Sequence, residues 1–316
     1  MSAAVTVSVV VVAWNGRQAL ARCLRSLQRC TTSVALELIV VDNASADGTP
    51  EMLAQAFPDV RLLVNAENLG FARACNRGMA AATGELVLLL NSDTYVEDDV
   101  IGRAAHHLIA RPQIGMLGCE LRFPNGRRQH TANRRSGIRR SLVERLWLYR
   151  LLPRGRRSAW LLGDYWEEDR DIEVDWLAGA FMLLRRELFT VSGGFDERFF
   201  MYGEDSEWCA RLRRMGHRIL YAPSSGAVYH VGAASSDLVW SEHERLERCY
   251  RGGLECYAAL YGSRRAVLFG LAELLGTTVR WTVYRVAATL RPSAYLRGQA
   301  GFYGWLARLY LACARG

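Results

Sequence analysis

Two adjacent carboxylates, Glu204 and Asp205, stand behind a glycine turn and an aromatic run: Gly193-Gly194-Phe195-Asp196-Glu197, then Phe199-Phe200-Met201-Tyr202-Gly203. A helix is expected over 206–215, which sets both acids at its N-terminus. Acids there have two uses. One can take the proton of an attacking hydroxyl while its neighbour orients a side chain. Both also suit the free N–H groups and the dipole of a helix start. Upstream, Asn91-Ser92-Asp93 closes the apolar run of Leu88, Leu89 and Leu90. Mg2+ and Mn2+ take oxygen ligands, and one or two carboxylates with substrate phosphates suffice. Asp93 is therefore the better ligand and the neutral Asn91 the poorer; the same turn also serves simply to end a strand. His230, in Tyr229-His230-Val231-Gly232, can ligate a metal near neutral pH. A lone His after a short strand is more often structural, and only its company with Asp93 and Asp205 marks it. A cation, a base and a diphosphate-bearing donor together describe a metal-assisted group transfer.

Other residues suit the donor. Asp42 opens Asp42-Asn43-Ala44-Ser45-Ala46-Asp47-Gly48-Thr49. A carboxylate at a strand end can accept an N–H from a nucleobase, and the same pattern makes a plain helix cap and turn. The stretch Asn68-Leu69-Gly70-Phe71-Ala72-Arg73-Ala74-Cys75-Asn76 begins a helix at a glycine. It carries Arg73 and Asn76 where they can meet a phosphate, or lie on a capped surface helix. Trp176, before Leu177-Ala178-Gly179, offers an aromatic face to the C–H surface of an acceptor sugar and is equally suited to a core.

The elements that position these residues alternate. Strands are expected over 5–13, 36–41, 60–64, 85–90 and 114–119, and helices over 18–29, 49–57, 71–82 and 98–110. This βαβα order implies an α/β fold, a mostly parallel sheet with helices on both faces. Ligands of such sheets bind beyond the carboxyl ends of the strands, where Asn15, Asp42, Asn43 and Asp93 fall. No G-x-G-x-x-G follows the first strand, which disfavours a nicotinamide dehydrogenase. The pattern breaks over 122–171, where 142–152 reads as one amphipathic helix and acidic residues gather from Asp164. It resumes as a strand pattern over 174–184, with short strands at 217–221 and 227–230. Beyond Asp237 the chain reads as helical.

At 316 residues the chain holds one large domain or one with an appendage. Its net charge of +8 is uneven. Arg122 to Arg157 contains twelve Arg and one acid, and Arg264 to the end contains eight Arg and one acid, which leaves the rest net acidic. An acidic body with two basic segments fits an acid-lined metal site beside a surface that meets anions. The chain has no Lys, so its Arg content reads in part as genome composition. The eight Cys show no zinc spacing and read as small core residues in a reducing compartment. No secretory leader is expected, and no run approaches the about 20 apolar residues that span a bilayer.

Together these motifs resemble glycosyltransferase family 2, inverting enzymes of the GT-A fold, and within it the bacterial rhamnosyltransferase-type members. The resemblance runs in order from Val7 to His230 and is weak over 122–170 and beyond Ser241. It implies a catalytic domain over 1–236 (donor half 1–121, basic insertion 122–171, acceptor and catalytic half 172–236) and a helical extension over 237–316. It implies that Trp14 and Asn15 form the first nucleotide loop, that Asp42, with Asn43, contacts the base, and that Arg73 contacts the donor. Asn91-Ser92-Asp93 matches the Asp-x-Asp metal motif, with Asn91 and Ser92 at the donor and Asp93 on the metal. Glu204-Asp205 matches the Glu-Asp motif, whose Asp is the base, and His230 matches a metal-ligating His of some relatives. The implied cofactor is Mg2+ or Mn2+ and the donor a dTDP-, UDP- or GDP-linked sugar, with rhamnose favoured. The Gln-x-x-Arg-Trp motif of processive synthases is absent, so one sugar per encounter is expected.

The basic segments point to a glycan or polyprenyl-diphosphate-linked acceptor at the inner face of the cell membrane, with the protein cytoplasmic and peripheral. In the tail, Trp281, Tyr284, Tyr295, Phe302, Tyr303 and Trp305 alternate with Arg280, Arg285, Arg297 and Arg308. That alternation suits a membrane surface or a homodimer contact equally. No nucleic-acid-binding motif is present. The competing reading of the whole chain is a non-catalytic nucleotide-sugar-binding or scaffold protein that kept the fold.

Overall fold

Strand β1 (Thr6–Ala13) forms around four consecutive valines, whose stiff β-branched side chains suit a strand covered on both faces. Helix α1 (Arg17–Cys30) follows with Leu20, Cys23, Leu24 and Leu27 buried at helical spacing. Then come β2 (Ala35–Asp42), α2 (Thr49–Ala56), β3 (Arg61–Val64), α3 (Phe71–Ala81), β4 (Leu86–Asn91), β5 (Thr94–Tyr95), α4 (Val100–Ile109) and β6 (Ile114–Gly118). The computed structural model describes residues 5–162, 166, 169–232 and 241–315. Every element expected in the first 120 residues is present, with shifts of one or two residues at the ends.

The middle of the chain is more broken than its pattern predicts. Strands β7 (Glu120–Arg122), β8 (Arg128–Gln129) and β9 (Ala132–Asn133) occupy the start of the basic stretch. The single helix expected over 142–152 is instead α5 (Ile138–Arg145) and a separate 3-10 turn over Leu148–Leu151. Trp147 between them has φ +56, a left-handed backbone that no helix accommodates. Helix α6 (Arg154–Leu161) follows. The strand pattern over 174–184 divides into β10 (Ile172–Val174), β11 (Trp176–Leu177) and β12 (Phe181–Arg185), and α7 (Arg186–Ser192), α8 (Glu204–Arg214), β13 (Arg218–Tyr221) and β14 (Ala227–His230) complete this part.

The large sheet has the order β10-β13-β6-β12-β4-β1-β2-β3. β1 is parallel to β2 and β4, β2 to β3, and β6 to β13. β12 runs antiparallel between β4 and β6, with Phe181 opposite Leu90, and β10 runs antiparallel to β13. The sheet is thus mixed rather than wholly parallel. A small sheet has the order β5-β14-β7-β8, and β9 pairs with β11. One apolar core joins β1, β4, β6 and β12 to the inner faces of α1 and α4.

The chain divides into two compact units, 1–133 with 167–245, and 134–166 with 246–316. The middle segment is therefore split, and its α5 and α6 group with the C-terminal helices. The boundary expected at 236/237 lies outside the described residues, as does the acidic start at Asp164. The second unit also holds most of α9 (Glu242–Tyr261), then α10 (Ser263–Leu290) and α11 (Ala294–Arg315). Tyr303, Leu306, Leu309 and Tyr310 form its core, with Tyr250, Leu254 and Trp281 packed against them. Glu273 is buried there and ion-paired with Arg145 at 2.8 Å. One sequence expectation needs correction: α10 is long and apolar enough to cross a membrane by length and composition, although a third of its most apolar window is buried in the protein. All eight cysteines are free, and five are buried, as small core residues would be.

Candidate active site

The carboxyl ends of β1 and β2 are stitched together by side chains. The Asn15 N–H donates to Ser45 Oγ at 3.0 Å, and the Ala46 N–H donates to Asn15 Oδ1 at 2.8 Å. The Ser45 N–H in turn donates to Asp42 Oδ2 at 3.0 Å. Asp42 is fully buried, and its other oxygen, Oδ1, has no hydrogen-bond partner. An orphaned buried carboxylate oxygen costs on the order of 1–3 kcal/mol or more, and a nucleobase N–H is the kind of group that would relieve it. Trp14 is half-buried beside this loop. Asn43 is used differently. Its amide bonds Asn65, Asn68 and the backbone of Leu69 and Gly70, so it anchors the loop that leads to α3.

That loop meets the glycine-aromatic run. The Phe71 N–H donates to the Phe200 carbonyl at 2.8 Å. Gly70 has φ +82, and a Cβ there would lie 2.5 Å from the Phe200 oxygen, so no other residue fits. Asn76, expected to face a phosphate, is instead a clamp. Its Oδ1 accepts from the Phe195 N–H at 2.9 Å, and its Nδ2 donates to the Phe195 carbonyl and to Glu197. Arg73 lies over half exposed, 3.7 Å from Glu197. From the other side, Trp208 of α8 donates to Ser192 Oγ and packs edge-on against Phe195. The run Gly193 to Glu197 is therefore a bracket that fixes where α8 begins relative to α3.

At that beginning stand Glu204 and Asp205. Burial pushes the Glu204 carboxyl up to about 8, and the neighbouring Asp205 charge adds to the shift. Glu204 Oε2 is buried without a partner. Burial also pushes Asp205 up, to about 6, against the pull of the Ser206 and Gly179 N–H groups. Those groups donate to Asp205 Oδ1 at 2.7 Å and Oδ2 at 3.3 Å.

Asn91, Asp93 and His230 converge across the turn from β4 to β5. His230 Nε2 is 3.2 Å from Asp93 Oδ1 and 3.3 Å from Asn91 Nδ2. Ser92 is buried within the turn, which Thr94 closes by donating to the Asn91 carbonyl at 2.7 Å. The imidazole is held from behind by Gln129. Gln129 Nε2 donates to the His230 carbonyl at 2.6 Å, which leaves its Oε1 to accept from His230 Nδ1 at 2.8 Å. With the proton on Nδ1, the Nε2 lone pair can accept from the Asn91 amide and lies beside the Asp93 carboxylate, so nitrogen and oxygen donors stand together where a cation could be shared. Among the described residues no three His, Cys, Asp or Glu side chains gather as a metal cage. A cation here would need donor oxygens to complete its shell, which suits Mg2+ or Mn2+ better than Zn2+.

The two acid groups are linked. Asp205 is bonded to the N–H of Gly179, and the adjoining Ala180 carbonyl accepts from the Asn91 N–H at 3.2 Å. Trp176, in β11, lies just before this link, and β11 packs against α8. Asn15, Ala44 and Tyr202 all have positive φ without being glycine, and each lies within two residues of a candidate residue. Backbone strain of this kind gathers at functional sites.

The model described as glycosyltransferase like family 2 matches residues 4–248. The chain belongs to that family. This glycosyltransferase is 33% identical over 235 residues to the N-acetylglucosaminyl-diphospho-decaprenol L-rhamnosyltransferase of Mycobacterium tuberculosis, a match covering 70% of this chain and 75% of that protein. Its structure resembles the mannosyltransferase PcManGT from Pyrobaculum calidifontis, solved with GDP-Man and Mn2+, with a TM-score of 0.59, 18% identity and coverage of 98% and 86%. It also resembles GalNAc-T7, solved with UDP, GalNAc and Mn2+, at a TM-score of 0.55 and 17% identity over 78% of this chain and 52% of that one. At these identities the two structures bear on the fold alone, which is GT-A.

Sequence reading missed Gln129 and Gly179. Gln129 sits in Arg127-Arg128-Gln129-His130, where arginine hides it, and Gly179 acts through its backbone N–H, which carries no residue-type signal.

The raised carboxyls fix a sign. Each binds its proton more tightly folded than unfolded, so stability falls as pH rises from the ordinary carboxylate range near 4 toward about 8. Glu204→Gln is expected to match the wild type in melting temperature near pH 4 and to exceed it increasingly toward pH 8. A gap that stays constant across that range would contradict a buried, proton-holding Glu204.

Proposed function

We propose that this glycosyltransferase transfers a single sugar, rhamnose, with inversion and with the help of Mg2+ or Mn2+, from a nucleotide-diphosphate donor to a polyprenyl-diphosphate-linked glycan in cell-envelope polysaccharide assembly. The observation that supports the reading is the link from Asp205 through Gly179 and Ala180 to the Asn91 backbone, which ties the proposed base to the strand end that leads into Asp93. The named acceptor of the mycobacterial relative, a diphospho-decaprenol, supports the lipid carrier. That carrier supports a place on the cytoplasmic face of the membrane. The dTDP-linked donor follows the rhamnosyl relatives, with UDP- and GDP-linked sugars as the alternatives to screen.

Asp42 Oδ1 accepts a base N–H, and the Asn15–Ser45 loop closes over the nucleotide. Arg73, exposed at the helix start, reaches donor phosphate. Asp93 and His230 would hold the cation together with donor oxygens, and the cation would supply charge to offset that developing on the departing diphosphate. Asp205 is the base. At about 6 its affinity for protons leaves it ionised at neutral pH yet basic enough to take a hydroxyl proton. Its Gly179 and Ser206 bonds hold it still, and Trp176 offers the acceptor a stacking face. Glu204 stays protonated at neutral pH and so spares Asp205 a second adjacent charge. With Asp205 as base and the acceptor hydroxyl as the attacking nucleophile, one displacement at the anomeric carbon inverts it.

Asp205→Asn is expected to lower single-turnover transfer by about 10²–10⁴-fold while calorimetry finds donor affinity within about threefold of wild type. Donor affinity falling in step with the rate would assign Asp205 to binding instead. Gln129→Leu frees the His230 ring and is expected to weaken Mn2+ binding, measured in the presence of dTDP, by about 10–100-fold. Unchanged Mn2+ affinity would remove Gln129 from the account.

A further inference from the structure

In the second unit, helices α10 and α11 pack side by side with a cavity of about 440 Å³ between them. Trp281 and Arg285 line it from α10, and Arg297, Gly301, Gly304 and Arg308 line it from α11, each set recurring on one helical face. A Cβ at Gly304 would sit 2.9 Å from the Trp281 ring, so the glycine lets the indole lie against α11 as a wall. A Cβ at Gly301 would meet nothing within 4 Å, so the wall is open at that point.

Three guanidinium groups therefore border one cavity. Arg280 of α10, by contrast, is used internally: it donates to the carbonyls of Glu144 and Arg145 and to the Tyr303 hydroxyl. Among the described residues, Arg285, Arg297 and Arg308 are ion-paired with no carboxylate, and Arg285 only stacks on Trp281 at 5.6 Å. All three are exposed, so water and salt moderate their mutual repulsion, and their planar guanidinium forks match the oxygens of a phosphate. The same helices leave Leu268, Leu271, Leu275, Val286, Leu290 and Tyr295 exposed. Exposed apolar side chains and arginines without carboxylate partners on the same helices suit a hairpin that lies in a bilayer interface. A spanning α10 is less suitable, because it would carry Glu273 and Arg280 away from the partners they have inside this unit.

We propose that this cavity binds the phosphate of an anionic membrane lipid and so seats the C-terminal helical hairpin on the bilayer surface. The inference deepens the proposed action on a lipid-linked acceptor. Vesicle binding is read without donor or acceptor, so its failure would leave the transfer reading standing.

The test uses the full-length protein sedimented with vesicles of phosphatidylcholine alone or mixed with phosphatidylglycerol. The wild type is expected on the anionic vesicles, with binding that weakens as salt rises. The triple variant Arg285→Gln, Arg297→Gln, Arg308→Gln is expected to bind them about a hundredfold more weakly. Gly301→Gln fills the cavity without changing charge and suits a helix better than glycine; it is expected to lose about tenfold or more. Melting curves report folding, and if the triple variant does not fold, Gly301→Gln decides. Wild-type binding by a folded Gly301→Gln overturns the cavity as the site. Stabilisation by inorganic phosphate without any vesicle binding overturns the lipid as its source, and a dimer that the triple variant dissociates overturns it in favour of a second copy.

Discussion

The antiparallel seat of β12 between β4 and β6 is the constraint on which the site rests. It sets Phe181 opposite Leu90, so the segment just before β12 lies at the carboxyl end of β4. There Ala180 pairs with Asn91 and Gly179 holds Asp205. A parallel β12 would carry this segment to the other end of the strand, about 16 Å away at 3.3 Å per residue. The two acid groups would then share nothing. Small residues make the seat possible. Ala178-Gly179-Ala180 places no bulk at the crossing, and the Gly179 Cα lies near the Phe71 ring, where a Cβ would come within 3.2 Å.

Electrostatics then decides what the convergent groups can do. Glu204 and Asp205 lie at the start of α8, whose free N–H groups favour negative charge, while burial opposes it. The result is a pair of adjacent carboxyls that burial holds above the ordinary carboxylate range, Glu204 further than Asp205. Across the link, His230 and Asp93 face each other with Gln129 holding the ring from behind. That pair offers a nitrogen and an oxygen donor to a cation, and a departing diphosphate needs positive charge. The proposal joins the two.

Much of this was legible from residue order. The strands and helices of the first 120 residues follow from uninterrupted β-branched runs and from 3–4-residue apolar spacing, because local pattern dominates where both faces of a sheet are covered. The strand ends at Asp42 and Asn91 and the helix start at Glu204 were marked by residue type. His230 was marked by its expected company with Asp93 and Asp205, and its ring does lie beside Asp93. What was not legible depends on long-range pairing. Nothing in Phe181 to Arg185 says antiparallel, and Asn76 and Asn43 read as ligands of a donor when they are ties between loops. The arginines of 122–157 read as one basic, anion-meeting surface, yet Arg122 and Arg128 clamp the buried Glu120 and Arg145 pairs with Glu273. In the tail, Arg280 and Tyr303 are internal partners, whereas Arg285, Arg297 and Arg308 border a cavity. Composition could not separate the two sets.

The central claim is that Asp93 and His230 share one cation beside the donor diphosphate. Electron spin echo modulation of Mn2+ bound to the protein with dTDP tests it directly. The account predicts nitrogen modulation from a single imidazole, present with dTDP and abolished in His230→Ala. A Mn2+ signal with no nitrogen coupling, or one unchanged by that substitution, would contradict it.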